Sequence, residues 1–251
     1  MDTRAETVIF AHRGASHIAP ENTLEAFAVA QEMGANAIEL DVQLTADDVL
    51  VVLHDDTVDR TSNGVGGIAS LTLAQARALD FSDSTPGYSD TRIPTLDEAL
   101  AWAASASIGI NIEIKPGLPA AREVPQRVLN LVAEYGLTQR TTISCFDHEV
   151  LREVKRIMPG ARVGALYTLP PYEVHRYAAD NGFDAIHPHA RTLKLPGDID
   201  ACHALGVAVC PWTVDRPEEL EALMRAGVDG IITNLPDRAA AVRQSLSGSP
   251  E

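Results

Sequence analysis

The regular alternation of short β-rich runs with longer amphipathic stretches constrains the fold of this 251-residue chain more than any other feature. Such alternation is typical of an α/β protein in which parallel strands are joined by crossover helices. A doubly wound open sheet would alternate in the same way, but eight strands favour a closed (β/α)8 TIM barrel, and the length suits a single barrel domain over residues 1–251. The predicted strands cover residues 8–11, 37–41, 109–114, 141–144, 162–166, 185–187, 207–211 and 230–233.

One segment departs from this rhythm. The β-rich run 49–53 follows the second strand after only residues 45–48, which is too short for a parallel crossover and therefore predicts a hairpin. A turn at Ala46-Asp47 would place Val52 opposite Asp41 and His54 opposite Glu39. The polar stretch 56–94 that follows is interpreted as a small insertion above the strand ends.

The charge balance limits the possible partners. There are 35 acidic and 20 basic side chains, a formal net charge of −15, so neither a nucleic-acid partner nor stable membrane association is expected. No apolar run approaches the roughly 18 residues that span a bilayer, and the first strand begins too early to leave room for a signal peptide. Three cysteines without CxxC spacing fit a reducing, cytoplasmic setting, while the oligomeric state stays open.

Carboxylates accumulate near the ends of the second and third predicted strands. Glu39 and Asp41 lie two residues apart and so face the same side, and Glu113 has a similar apolar setting on the third strand. Three converging carboxylates would repel one another, and a hard cation such as Mg²⁺ or Ca²⁺ resolves that conflict. The alternative is that they pair with Arg13 and Lys115. We favour a metal site made of Glu39, Asp41 and Glu113.

Further polar and aromatic residues are expected at the same mouth. Because an unperturbed imidazole titrates near neutral pH, His12 and His54 are candidates for paired acid and base catalysis. Arg13 and Lys115 add positive charge of the kind that a phosphate requires.

Two aromatic residues follow predicted strands. Trp212 offers a flat apolar wall to a small carbon skeleton, and Phe146 could do the same, although either would serve equally well as core. The glycines of Asn63-Gly64-Val65-Gly66-Gly67 are interpreted as a flexible turn, because no Gly-Lys-Ser/Thr follows them.

Six motifs follow one another between residues 12 and 214: His12-Arg13-Gly14, Pro20-Glu21-Asn22-Thr23, Glu39-Leu40-Asp41-Val42, Val52-Leu53-His54-Asp55, Asn111-Ile112-Glu113-Ile114-Lys115 and Trp212-Thr213-Val214. Together they resemble those of the glycerophosphodiester phosphodiesterase family, in the family's order. The resemblance implies a (β/α)8 barrel that hydrolyses small-molecule glycerophosphodiesters, such as glycerophosphocholine or glycerophosphoethanolamine, to sn-glycerol 3-phosphate and an alcohol. It also implies three carboxylate ligands for a divalent metal, two histidines as acid and base, and two cationic phosphate contacts.

By this resemblance the ligands are Glu39, Asp41 and Glu113, while His12 and His54 exchange protons in an order that the sequence leaves open. The nucleophile, either water or a neighbouring glycerol hydroxyl, also stays open. Two other functions remain in view: a lysophospholipase D or sphingomyelinase D-like phospholipase, and a non-catalytic barrel that binds phosphodiesters. The insertion offers little of the apolar rim that the first would want. Retention of both histidines argues against the second.

Overall fold

The computed structural model describes residues 6–82, 84–118, 123–194 and 196–247. Its strands are β1 (Val8–His12), β2 (Ala37–Leu44), β3 (Leu50–Val52), β4 (Gly109–Ile114), β5 (Thr141–Cys145), β6 (Arg162–Tyr167), β7 (Ala185–Pro188), β8 (Ala208–Val209) and β9 (Gly230–Thr233). Its helices are α1 (Leu24–Glu32), α2 (Leu73–Arg77), α3 (Leu96–Ala106), α4 (Val124–Glu134), α5 (His148–Ile157), α6 (Val174–Asp180), α7 (Gly197–His203), α8 (Pro217–Ala226) and α9 (Pro236–Ser247). Within these ranges, no helix has the length and apolar character needed to cross a bilayer.

Eight of the strands form one parallel sheet that closes on itself. The ladder order is β8-β7-β6-β5-β4-β2-β1-β9, with β3 attached to β2. Backbone hydrogen bonds then join the two ends of this order, because Asp229 N donates to Val209 O and Ile232 N donates to Pro211 O, each at 3.0 Å. The predicted (β/α)8 barrel is confirmed. Strand β8 is shorter than the predicted 207–211.

Strand β2 shows how the sequence separates core from site. All eight of its residues are buried. Ile38, Leu40 and Val42 belong to the main hydrophobic cluster between the sheet and the helices. Because side chains alternate along a strand, Glu39 and Asp41 face the opposite side, which is the barrel interior.

The hairpin exists, but its predicted register is wrong by one residue. The observed pairs are Val42 with Val52 and Leu44 with Leu50, and Leu53 N donates to the Asp41 carbonyl at 3.0 Å, so Asp41 lies opposite Leu53 and not opposite Val52. His54 consequently does not pair with Glu39. The reason is a turn of three residues, 46–48, whose last residue has a left-handed φ of 64°, in place of the two-residue turn at Ala46-Asp47.

The stretch 56–94 packs on the hairpin through a small hydrophobic cluster of its own. Its buried members are Val51, Leu53, Val58, Ile68, Ala76, Phe81 and Ile93. This cluster fixes the loop after β3 beside the barrel mouth. The boundaries of the insertion within the single domain stay a prediction.

Candidate active site

The three predicted metal-binding carboxylates converge. Glu39, Asp41 and Glu113 each offer an oxygen atom, and these atoms all lie within 4.8 Å of one another. Strands β2 and β4 are neighbours in register, so Asp41 aligns directly with Glu113. All three residues are buried. Strand pairing therefore places three acidic groups around one point.

Two cations partly compensate these charges. Lys115 Nζ lies 2.7 Å from Glu113 Oε1 and 3.3 Å from Asp41 Oδ1. Arg13 Nε lies 3.4 Å from Asp41 Oδ2, and the backbone N–H of Arg13 donates to Glu39 Oε2 at 3.0 Å. The pairing alternative is thus partly realised, but two cationic side chains stand against three carboxylates.

Burial and the excess negative charge that remains raise the pKa values of two of the three carboxyl groups. Burial and then the charge of Asp41 raise the pKa of Glu113 to about 7. Burial and the charges of Asp41 and Glu113 raise the pKa of Glu39 well above its usual range. Burial acts to raise the pKa of Asp41 as well, but the charges of Lys115 and Arg13 outweigh it and lower that pKa. A divalent cation would relieve this repulsion, and an all-carboxylate donor set suits Mg²⁺ or Ca²⁺.

His12 ends β1 and is held through its Nδ1 atom. That atom lies 2.7 Å from Asn234 Oδ1, while Asn234 donates its side-chain Nδ2 and its backbone N to the two oxygens of Asp215, at 2.7 and 2.8 Å. Because Asp215 takes the amide nitrogen, the amide oxygen faces His12, and His12 Nδ1 must carry the proton. Burial, assisted by the charge of Arg13, lowers the pKa of His12 to about 4. The ring is therefore neutral at pH 7 with a bare Nε2.

His54 has a different partner. It follows the end of β3, and its Nδ1 lies 2.6 Å from Asp55 Oδ1. A carboxylate at this distance stabilises the positive charge of a doubly protonated ring. Both rings thus face an oxygen acceptor through Nδ1, but the acceptor is a neutral amide for His12 and a carboxylate for His54.

An apolar wall faces these polar groups. The rings of Phe146 and Trp212 meet edge to face, with centroids 5.5 Å apart. Both residues line a cavity of about 140 Å³ together with Leu166 and Ile232, and the same cavity is lined by both histidines, Arg13, Glu39 and Glu113. The structure therefore brings the predicted aromatic residues to the cavity wall.

Several polar residues at this mouth had no role assigned from the sequence. Glu21, Asn22 and Asp55 lie inside the quoted motifs, which was the only signal for them. Asn22 Nδ2 donates to Asp41 Oδ2 at 2.9 Å. Asn234 and Arg60 carried no signal at all, because their contacts depend on how distant segments meet.

Fold and site together define an enzyme of the (β/α)8-barrel class. Residues 12–238 match the glycerophosphoryl diester phosphodiesterase family. The chain is 41% identical over 236 residues to a glycerophosphodiester phosphodiesterase from Caldanaerobacter subterraneus subsp. tengcongensis. The aligned region covers 92% of this chain and 96% of the relative. The chain belongs to the glycerophosphodiester phosphodiesterase family, as the sequence motifs predicted.

Solved structures agree with this assignment. A putative glycerophosphoryl diester phosphodiesterase from Silicibacter pomeroyi DSS-3 aligns with a TM-score of 0.89 and 28% identity, over 99% of this chain and 97% of that chain. A phosphodiesterase from Oleispira antarctica, solved in complex with the product sn-glycerol-3-phosphate, aligns with a TM-score of 0.84 and 26% identity, over 95% of this chain and 97% of its own.

Proposed function

We propose that the protein hydrolyses glycerophosphodiesters, such as glycerophosphocholine and glycerophosphoethanolamine, to sn-glycerol 3-phosphate and an alcohol, with Mg²⁺ or Ca²⁺ held by Glu39, Asp41 and Glu113. One observation carries the proposal: a single cavity is lined by carboxylates of the buried trio and by two histidines with unlike hydrogen-bond partners. The product named for the Oleispira antarctica relative supports the same substrate class.

The charged side of the cavity suits the phosphodiester. Arg13 and Lys115 place positive charge beside the carboxylates, where a phosphoryl group would need it. When bound, the cation supplies further positive charge to phosphoryl oxygens as negative charge develops on them. The glycerol carbons pack against Trp212 and Phe146 on the opposite wall.

The hydrogen bonds support the following division of the two proton-transfer roles. His12, neutral and with a bare Nε2, takes the proton from the attacking hydroxyl group. As the new P–O bond forms, the P–O bond to the alcohol breaks, and His54 delivers a proton to the departing oxygen. Asp55 stabilises the charge that His54 carries before this transfer. The same two roles apply if the attacking hydroxyl belongs to the neighbouring glycerol carbon. That step yields a cyclic phosphate, and water must then attack the phosphorus and break one ring P–O bond to give glycerol 3-phosphate.

Release of glycerol 3-phosphate tests the proposal. The protein is stripped with a chelator and assayed on glycerophosphocholine and glycerophosphoethanolamine before and after adding Mg²⁺ or Ca²⁺. We expect release that depends on one of the two ions. Activity confined to a monoacylated substrate such as lysophosphatidylcholine would point to a phospholipase instead. Absence of release from the whole panel, with the ion bound, would contradict catalysis.

A further inference from the structure

Arg60 joins two carboxylates beside the cavity. Its Nη1 and Nη2 donate to the two oxygens of Glu21, each at 2.7 Å. Its Nε donates to Asp55 Oδ2 at 2.7 Å, and Nη2 also reaches Asp55 Oδ1 at 3.2 Å. A planar guanidinium is suited to such a bridge, because its donors are fixed relative to one another.

Each of these carboxylates in turn holds a residue of the site. Asp55 Oδ1 lies 2.6 Å from His54 Nδ1, and Glu21 Oε1 accepts a hydrogen bond from Arg13 Nη1 at 3.0 Å. A continuous chain of contacts therefore runs from Arg13 through Glu21, Arg60 and Asp55 to His54. It links a residue on the phosphate side of the cavity to the proton donor.

Arg60 keeps Glu21 and Asp55 ionised, as this series of contacts requires. Burial acts to raise the pKa of Glu21, but hydrogen bonds from Arg60 and the charge of Arg13 outweigh it. The hydrogen bond from Arg60 is the largest influence on Asp55, and it lowers that pKa far below the usual range. Both groups therefore stay ionised and accept hydrogen bonds.

The partial exposure of His54, the proposed proton donor, explains why its orientation needs support from neighbouring residues. The His54 side chain is 33% exposed and that of Asp55 is 28% exposed, so neither is fixed by packing alone. Arg60 itself is not among the described residues that line the cavity. Its influence must act through Asp55 and Glu21. Misplacement of a reacting group by about 1 Å costs roughly a hundredfold in rate.

We propose that Arg60 is a positioning residue, which sets the orientation of His54 by holding Asp55 and which ties this orientation to Arg13 through Glu21. The inference rests on the proposed role of His54 as proton donor.

The leaving group of the substrate provides a selective test. A p-nitrophenyl ester of glycerol phosphate releases a phenolate that needs little protonation, whereas glycerophosphocholine releases an alkoxide that needs it strongly. With Arg60→Ala we expect kcat/KM to fall about 10- to 100-fold on glycerophosphocholine and by less than about threefold on the p-nitrophenyl ester. The kcat/KM of Arg60→Lys on glycerophosphocholine should lie between those of wild type and Arg60→Ala, because an ammonium group lacks the fixed fork that spans both carboxylates.

Arg92→Ala is the matched control, since the Arg92 side chain is 46% exposed against 45% for Arg60 and lies in the same 56–94 stretch. It should leave both rates unchanged. A merely structural defect in Arg60→Ala would lower kcat/KM equally on both substrates and would also lower the melting temperature. Equal loss on both substrates, or no loss, overturns the positioning role.

A His54→Asn variant separates this inference from the proposed function. Selective loss on glycerophosphocholine in His54→Asn, without selective loss in Arg60→Ala, would refute the role of Arg60 alone. Equal loss on both substrates in His54→Asn would refute the donor assignment and the inference together.

Discussion

At the scale of single residues, the neighbours of each histidine decide what it can do. His12 faces a neutral amide oxygen and His54 faces a carboxylate, and this difference supports the proposal that His12 acts as the base and His54 as the acid. Removing either ring should therefore stop proton transfer without disturbing the carboxylate trio.

We expect His12→Ala and His54→Ala each to lower turnover of glycerophosphocholine by at least about a hundredfold. Neither histidine belongs to the proposed metal ligands, so both variants should still be stabilised by the activating ion in a thermal melt. His175→Ala is the control, because His175 lies on α6, away from the cavity lining. Near-normal turnover in either variant would refute the paired assignment.

Asn234 should matter although it is not expected to touch the substrate. Its amide oxygen fixes the His12 tautomer, and Asp215 fixes the amide. We expect Asn234→Ala to lower kcat roughly 10- to 100-fold, by analogy with the loss when the outer partner of a metal-ligating histidine is removed, with KM little changed. Asn181→Ala removes an amide that contacts Arg152 instead, and should leave both constants unaltered. A change confined to KM would argue against the tautomer role.

The sequence predicted the residues of the candidate site that lie on the strands or shortly after them, and missed those that support them. Glu39 and Asp41 were found because period-two alternation fixes which side chains share a face. His12 and Asn234 are 222 positions apart, and Arg60 and Glu21 are 39 apart. No spacing rule connects such pairs, because their contact depends on barrel closure and on the path of the 56–94 stretch.

At the scale of elements, the hairpin shows the limit of register prediction. Both strands were predicted, since their β-branched runs are clear in the sequence, but the turn was assigned two residues where the structure has three. The extra residue shifts the pairing by one position and moves each predicted partner to the other face. His54 still lies at the cavity because it follows the strand end, where the pairing no longer constrains it.

The turn between β1 and α1 depends on Gly14. Its φ is +82°, and an added Cβ would lie 2.7 Å from the carbonyl carbon and the Cβ of Ala26. Gly14→Ala therefore combines a left-handed backbone penalty with overpacking against α1, and we expect a loss of about 3 kcal/mol in the free energy of unfolding.

Gly87→Ala is the control for that prediction. Gly87 has a similar φ of +88°, but an added Cβ would meet nothing within 4 Å. Only the backbone penalty of about 1 kcal/mol should remain. Urea denaturation of both variants gives the comparison. Equal losses would show that contact with Ala26 contributes nothing.

At the scale of the whole molecule, barrel closure creates two cavities at opposite ends. The larger, about 640 Å³, opens at the N-terminal ends of the strands and is lined by His187 among other residues. The smaller, about 140 Å³, opens at the C-terminal ends and is lined by all of the predicted site residues except Asp41 and Lys115. Chemistry and not volume therefore distinguishes the candidate site, in keeping with the position of active sites in this fold.

The proposed metal site links the stability of the whole barrel to pH. The pKa of Glu113 is about 7 in the folded protein, against 4.5 for an unperturbed glutamate, and that of Glu39 is also raised. Between these two values the folded chain holds protons that the unfolded chain has released. Without a divalent ion, stability should therefore fall as pH rises from about 4.5 through 7. A cation must displace the same protons, so its affinity should rise over that range.

We expect the gain in melting temperature on adding saturating Mg²⁺ or Ca²⁺ to be small near pH 5.5 and larger near pH 8. Thermal melts of chelator-treated protein, with and without the ion, measure this gain at each pH. Glu113→Gln should remove much of the pH dependence, because an amide does not titrate in this range. Glu149→Gln changes a carboxyl that is 75% exposed on α5 and should behave as wild type. A gain that is the same at both pH values would mean that proton release from Glu39 and Glu113 is not coupled to ion binding.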